Sequence, residues 1–396
     1  MALNRKDVCT RAAAGLERAN LAGMACTVGF DGFVDSIIEV VDKRHNAESY
    51  DRVTTIAAMA RKIAAAAGES GNYELVTTLQ KLGGNGPIMA NALVAAGLPV
   101  TYVGSLGKPE VHGVFKEFAG RAKVVSLSEP GYTDALEFSD GKLMFGKHVA
   151  LKEITYENMV GKLGKEPLTR MLGESKLIGV TNWTMLPNLT QMWKKLLSEI
   201  MPGMGKKEGR ILFIDLADPE KRTEADLREA LATLAKFEAY ARTILGLNLK
   251  ESSQVAGALG VPVAGDAEGE IEKTAAGIRA KLGIGCVVIH PRRGAAAADA
   301  EGSAAFAGPF VREPKISTGA GDHFNAGFCL GQMAGMGLAE SLCVGTATSG
   351  FYVRNAISPT QGELVDFMRD LPAAEGDDES RRSEDVKGHE DVSIHR

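Results

Sequence analysis

The chain has 396 residues, 46 of them glycine, with 45% hydrophobic and 24% charged residues and a formal net charge of −5. That is an ordinary globular composition, long enough to bury a core without staples. The acidic balance and the 6% aromatic content argue against a nucleic-acid partner, because both phosphate neutralisation and base stacking lack their residues.

The N-terminal residues 1–23 alternate charge with alanine and read as an amphipathic helix, without the apolar centre of a secretory signal. Cys26–Phe30 reads as a short buried strand, and residues 33–43 supply another. Residues 51–67 form an Ala-rich helix. Gly86–Ala96 is a helix after a Gly-rich turn, and Val100–Val103 the next strand. Residues 132–151 hold two alternating runs around Ser139-Asp140-Gly141-Lys142, which predicts an antiparallel hairpin. Leu177–Val180 is a strand, followed by a helix over 188–201 and a charged surface loop from Pro202 to Arg210. Arg210–Asp215 is a strand, with a helix near 223–240. Thr243–Gly246 is a short strand before a helix from about 250. A helix over 269–282 precedes the strand Cys286–His290, and a long helix starts near Gly321. Alternating strands and helices predict an α/β fold, a mainly parallel sheet with helices on both faces. The segments 33–45 and 132–151 form a small β lid inserted in one domain over 1–372. The tail 373–396 is charged, almost without apolar residues, and is expected to be disordered.

No apolar run reaches the roughly 18 residues of a membrane helix, so no membrane partner is expected. The five cysteines are odd in number and widely spaced, which predicts a reducing, cytoplasmic setting. Gly203-Met204-Gly205-Lys206 lacks the preceding Gly and the following Ser or Thr of a P-loop. Cys286 and His290 share one strand face and read as core.

The segment Ser317-Thr318-Gly319-Ala320-Gly321-Asp322 runs a Gly-rich turn into an apolar helix. Unpaired N–H groups there can hold an anion, and small residues let it approach. Asp322 sits in the first turn, as a dipole-stabilising acid or as a base beside that anion. A second Gly turn, Gly83-Gly84-Asn85-Gly86, also enters a helix. Asp31 and Asp35 follow the first strand, where carboxylates can accept hydroxyl hydrogen bonds. Asn248-Leu249-Lys250-Glu251 has the form of a capping box. Asn182 and Asp215 sit at strand ends, where open α/β sheets bind ligands.

In their order and spacing these motifs resemble the ribokinase-like (PfkB-type) carbohydrate kinases over most of residues 22–371. The resemblance implies the three-layer ribokinase-like fold and ATP-dependent phosphorylation of a sugar hydroxyl. It makes Asp322 the general base and Gly319, Ala320 and Gly321 the anion hole. It assigns Asp31, Asp35, Gly84, Asn85 and Asn182 to the sugar. Thr318, Arg293, Gly294 and Asn248 fall to the nucleotide. Asn248 and Glu251 organise Mg²⁺ through water. Three positions depart from the family pattern. Ile88 stands where many members have Asn, and Pro291 replaces a nucleotide-loop Gly. Ile316 stands where many have an Asp that helps hold a monovalent cation, which predicts weak or absent K⁺ activation. The family's flaps often pair into dimers, and the resemblance extends a homodimer to this lid. A nucleoside acceptor, an ADP donor and a ligand-binding pseudokinase are the alternative readings.

Overall fold

The central strands are buried at every position, and side chains that alternate in direction along each strand build a core on both faces. The computed structural model describes residues 4–205, 208–265 and 268–374. Its strands are β1 (Cys26–Phe30), β2 (Phe33–Arg44), β3 (Tyr50–Arg52), β4 (Leu75–Gly83), β5 (Val100–Gly104), β6 (Lys123–Ser126) and β7 (Gly131–Phe138). There follow β8 (Gly141–Lys147), β9 (Leu177–Val180), β10 (Ile211–Asp215), β11 (Arg242–Leu247), β12 (Cys286–Ile289), β13 (Gly294–Asp299) and β14 (Ser303–Ala307). Among the described residues the large sheet has the order β14-β13-β12-β11-β10-β9-β1-β5-β6. The seven strands from β12 to β6 along that order are parallel. The β13–β14 hairpin closes one edge antiparallel.

Both faces of the sheet are apolar, so helices cover both. Phe213, Ile244 and Val288 point into one core, and Leu212, Leu245 and Val287 into the other. The edge hairpin is an extension beyond the sequence reading, which saw no strand in the alanine run 295–298. Alanine has low strand propensity. Here it is selected by space: Ala295 and Ala297 enter one core, Ala296 and Ala298 the other. The helix expected from Gly321 is two, Ala320–Met333 and Leu338–Asn355. The surface loop expected from Pro202 begins inside a helix that runs to Met204, and residues 206–207 lie outside the described residues.

The second sheet has the order β3-β2-β7-β8, with β4 on the other side of β2. The expected hairpin is present, with Phe138 opposite Gly141 across a two-residue turn. The lid is wider than the sequence reading: β3 and β4 join it, and a helix, Ile56–Ala65, packs Met59 against Ile38 and Leu136 on one face. β4 has little apolar content to announce it. It is ordered by pairing with β2, which also receives β7 in parallel. Of the charged tail, everything beyond Ala374 lies outside the described residues. No described helix is long and apolar enough to cross a membrane. All five cysteines are buried and free.

Candidate active site

The chain order reverses between β1 and β9, with β5 on the other side of β1, and parallel strands open a crevice at such a switch point. The C-terminal ends of neighbouring strands deliver polar groups to that edge. Asp31 follows β1, Asn182 follows β9, Asp215 ends β10, Asn248 follows β11 and His290 follows β12. β1 continues into the lid through β2, and β4 returns from the lid straight into helix Asn85–Ala95.

Asp31 is fully buried and serves that returning helix. Its carboxylate accepts from the backbone N–H of Asn85 at 2.9 Å and of Gly86 at 2.8 Å. Asn182 Nδ2 donates to it at 2.8 Å, while Asn182 Oδ1 accepts from Met185 N at 3.3 Å. Burial pushes the Asp31 carboxyl up to about 6, against those three hydrogen bonds. Asp31 and Asn182 were expected to touch sugar. In the structure Asp31 bonds the start of the helix that follows Gly84, and Asn182 bonds Asp31. Gly84 is the residue that precedes the helix, with φ of 95°.

Asn85 instead points across the crevice, and its Nδ2 donates to Asp322 Oδ1 at 2.9 Å. Burial, and then the charge of Asp215, holds the Asp322 carboxyl well above the usual carboxylate range, against the Asn85 bond. Asp215 is raised in turn by burial and by Glu251. Asp215 accepts from Ala217 N at 2.8 Å and from Asn325 Nδ2 at 2.7 Å. Glu251 closes the capping box: its Oε2 accepts from Asn248 N at 2.8 Å, and its Oε1 from Asp218 N at 2.9 Å. Asn325 was not singled out in the sequence. Its spacing of three from Asp322 puts both on one helix face.

Helix Ala320–Met333 begins after Gly319, whose φ of 91° suits glycine, and no side chain caps this end. Its first N–H groups lack intrahelical partners. Ala320 N bonds Ser317 O at 3.2 Å, and of the three expected hole residues Ala320 and Gly321 line the cleft beside this end. A cleft of about 360 Å³ abuts this end, lined among others by Asn248, Gly294, Phe310, Ala320 and Gly321. Arg293 and Thr318 are not among its lining residues. The Arg293 guanidinium lies 4.7 Å over the centre of the Phe310 ring, and Thr318 turns its carbonyl to the Tyr352 hydroxyl at 3.0 Å. His290 is a cleft wall whose ring lies 4.8 Å from that of Phe324, tilted by 34°, so its sequence reading as core is corrected.

Asp35 lies on the lid opposite Lys81 and Thr133. It is 5% exposed, and burial raises its carboxyl against the pull of Lys81. A Cβ on Gly83 would fall 2.3 Å from the Asp35 carboxyl carbon, so glycine there leaves room for that carboxyl. Lys81 escaped the sequence reading because its strand did. Tyr352 is close enough to both Asp35 and Asp322 for their charges to raise its phenol, after burial, to about 12. The crevice therefore joins Asp35, Asn85 and Asp322 to the uncapped helix end at the cleft.

The sequence profile described as prokaryotic ketohexokinase matches residues 7–371. The chain belongs to the prokaryotic ketohexokinase family. It is a carbohydrate kinase with the ribokinase-like fold. A ketohexokinase of Haloferax volcanii is 31% identical over 86% of this chain and 89% of its own length. A carbohydrate kinase from Agrobacterium tumefaciens superposes with a TM-score of 0.61 at 17% identity, covering 89% of this chain and 98% of that one. The ribokinase of Arabidopsis thaliana, solved with ribose and ATP, superposes with a TM-score of 0.59 at 15% identity, covering 88% and 99%.

Proposed function

We propose that this family member transfers the γ-phosphoryl group of ATP to a hydroxyl of a ketohexose. The observation that carries the reading is the convergence of Asp322 and an uncapped helix N-terminus at one end of the 360 Å³ cleft. Asn85 holds Asp322 Oδ1, which leaves Oδ2 to take the proton of the sugar hydroxyl. The sugar oxygen forms its bond to phosphorus as the bond to the ADP oxygen breaks. A carboxyl raised by burial is a stronger base near neutral pH than an exposed one. Gly321 N–H and the helix dipole stabilise charge on the transferred group. Asp35 and Lys81 hold the sugar from the lid side. Apolar walls at Phe310 and Phe324 flank the nucleotide.

The donor set fits a divalent cation. Glu251 raises the carboxyl of Asp215, both raise that of Asp322, and the buried Oδ1 of Asn325 has no partner. Among the described residues no three acidic, His or Cys side chains converge to hold a metal alone. Mg²⁺ suits this arrangement, since it retains waters and relies on phosphate oxygens. Asp215, Glu251 and Asn248 would hold it, Glu251 through water because both its oxygens already accept backbone N–H groups. When bound it supplies positive charge to the phosphates.

The test is ADP formation against a panel of ketohexoses, aldoses and nucleosides, with ATP and ADP as donors. Turnover is expected to be best with ATP and a ketohexose. Asp322→Asn is expected to lower kcat by about 10³-fold or more with ATP affinity retained. Retention of a few per cent of kcat would remove Asp322 as the base. Binding of ATP and sugar without any turnover would favour a pseudokinase. Ile316 offers no ligand oxygen, so K⁺ at fixed ionic strength is expected to change the rate less than about twofold. A steep rise with K⁺ would overturn that. We infer also that the lid pairs two subunits through its open face, where Leu79 and Met144 are 55% and 51% exposed.

A further inference from the structure

The turn that starts helix Ala320–Met333 has no cap of its own, yet two of its consecutive carbonyls receive side-chain donors. Tyr352 OH donates to Thr318 O at 3.0 Å. His323 Nδ1 lies 2.8 Å from Gly319 O. A carbonyl only accepts, so Nδ1 carries the proton and Nε2 is an acceptor. Nε2 lies 2.8 Å from Ser358 Oγ, which must then donate to it. Ser358 Oγ in turn accepts from Asn91 Nδ2 at 3.2 Å, and Asn91 Oδ1 accepts from Arg121 at 2.7 Å. Every bond in this chain donates in one direction, from Arg121 at the surface to the carbonyl of Gly319. The His323 and Tyr352 rings stack with centroids 3.5 Å apart and planes 13° apart, which locks both donors together. His323 is 1% exposed, and burial pushes its imidazole down to about 4, in keeping with the neutral tautomer.

We propose that His323 and Tyr352, backed by Ser358 and Asn91, are positioning residues that fix the peptide planes of Thr318 and Gly319 and so aim the helix N-terminus at the transferred phosphoryl group. The proposal rests on the kinase reading above. The physical need is plain. A left-handed glycine turn has alternative peptide orientations of similar energy, and phosphoryl transfer depends mainly on positioning. A donor on each carbonyl removes that freedom. Helix Asn85–Ala95 then serves the site twice, through Asn85 on the base and Asn91 on the strap.

Two readouts test it. Tyr352→Phe keeps the stacked ring and removes only the hydroxyl. It is expected to lower kcat about 5- to 20-fold, with KM for ATP and ketohexose within about twofold. His323→Ala is expected to lower kcat about 100-fold, and His323→Asn, which restores an N–H near the Nδ1 position, to recover most of that loss. Independently of turnover, amide hydrogen exchange over residues 317–323 is expected to quicken at least threefold in Tyr352→Phe relative to the native chain. Unchanged exchange in Tyr352→Phe would overturn the strap whatever the enzymology. So would a wild-type kcat in both Tyr352→Phe and His323→Ala. If the native chain turns over no sugar, the kinase reading fails, while the exchange experiment still decides whether the strap holds the turn.

Discussion

Four carboxyl groups, Asp31, Asp215, Glu251 and Asp322, are buried within electrostatic reach of one another. Each is raised, burial being the largest cause. An acid whose folded-state pKa lies above its unfolded value weakens the fold once ionised. The penalty is full above the folded pKa and fades as pH falls through it. Asp322→Asn removes one such charge. In the ligand-free protein it is expected to raise Tm by about 1–3 °C at pH 8. The gain should shrink as pH is lowered, because the native Asp322 then becomes neutral as well. A Tm that falls at pH 8, or a gain that grows toward acid, would contradict this electrostatic account. The proposed base was legible in the sequence: Asp322 and the glycines before it mark a helix start with unpaired N–H groups. The internal bonds of Asp31 and Asn182 were not legible, because a polar residue at a strand end looks the same whether it faces a ligand or the next helix. Only the positions of Asn85 N–H and Gly86 N–H decide that.

At the scale of elements, the lid is held to itself by its hairpin turn. Ser139 Oγ donates to Thr54 O at 2.7 Å, and Asp140 Oδ1 accepts from Ile56 N at 2.8 Å. The turn residues therefore fasten helix Ile56–Ala65 to the sheet. Asp140→Ala loses a helix-capping bond of about 1 kcal/mol. Amide exchange over 56–65 is expected to quicken about fivefold and the sugar KM to rise several-fold, with the ATP KM unchanged. An altered ATP KM with a normal sugar KM would show that the lid does not serve the acceptor. The turn itself was readable from Asp140-Gly141. Its second role was not, since the partner lies 84 residues away.

For the whole molecule, the lid leaves one face without a cover. Ile37, Leu79, Ala135 and Met144 fall in one row by strand register. The opposite face is closed by helix Ile56–Ala65. In that row Leu79 and Met144 are exposed and Ala135 is buried; exposed apolar side chains together mark an interaction surface, and a twofold copy of the lid is the occupant inferred above. Leu79→Lys is expected to convert a dimer into a monomer in sedimentation velocity, with the fold intact by circular dichroism. A native chain that sediments as a monomer would end that reading.

The sequence by itself determined the class of fold, since alternating apolar strands and amphipathic helices admit few arrangements other than a covered parallel sheet. It also determined the two glycine turns, because backbone close approach demands those residues locally. Tertiary structure decided the rest. It added β4 and the edge hairpin, whose alanines and polar residues become strands only when neighbours supply pairing and space. It joined Asn182 to Asp31, and Asp31 to the backbone of Asn85 and Gly86. It put Lys81 opposite Asp35, and it gave His323 and Tyr352 to the carbonyls of the Gly319 turn. Local propensity reaches only a few residues along the chain, whereas Lys81 and Asp35, Asn182 and Asp31, and Tyr352 and Thr318 lie some 30 to 150 residues apart and meet only when the sheet and its helices close.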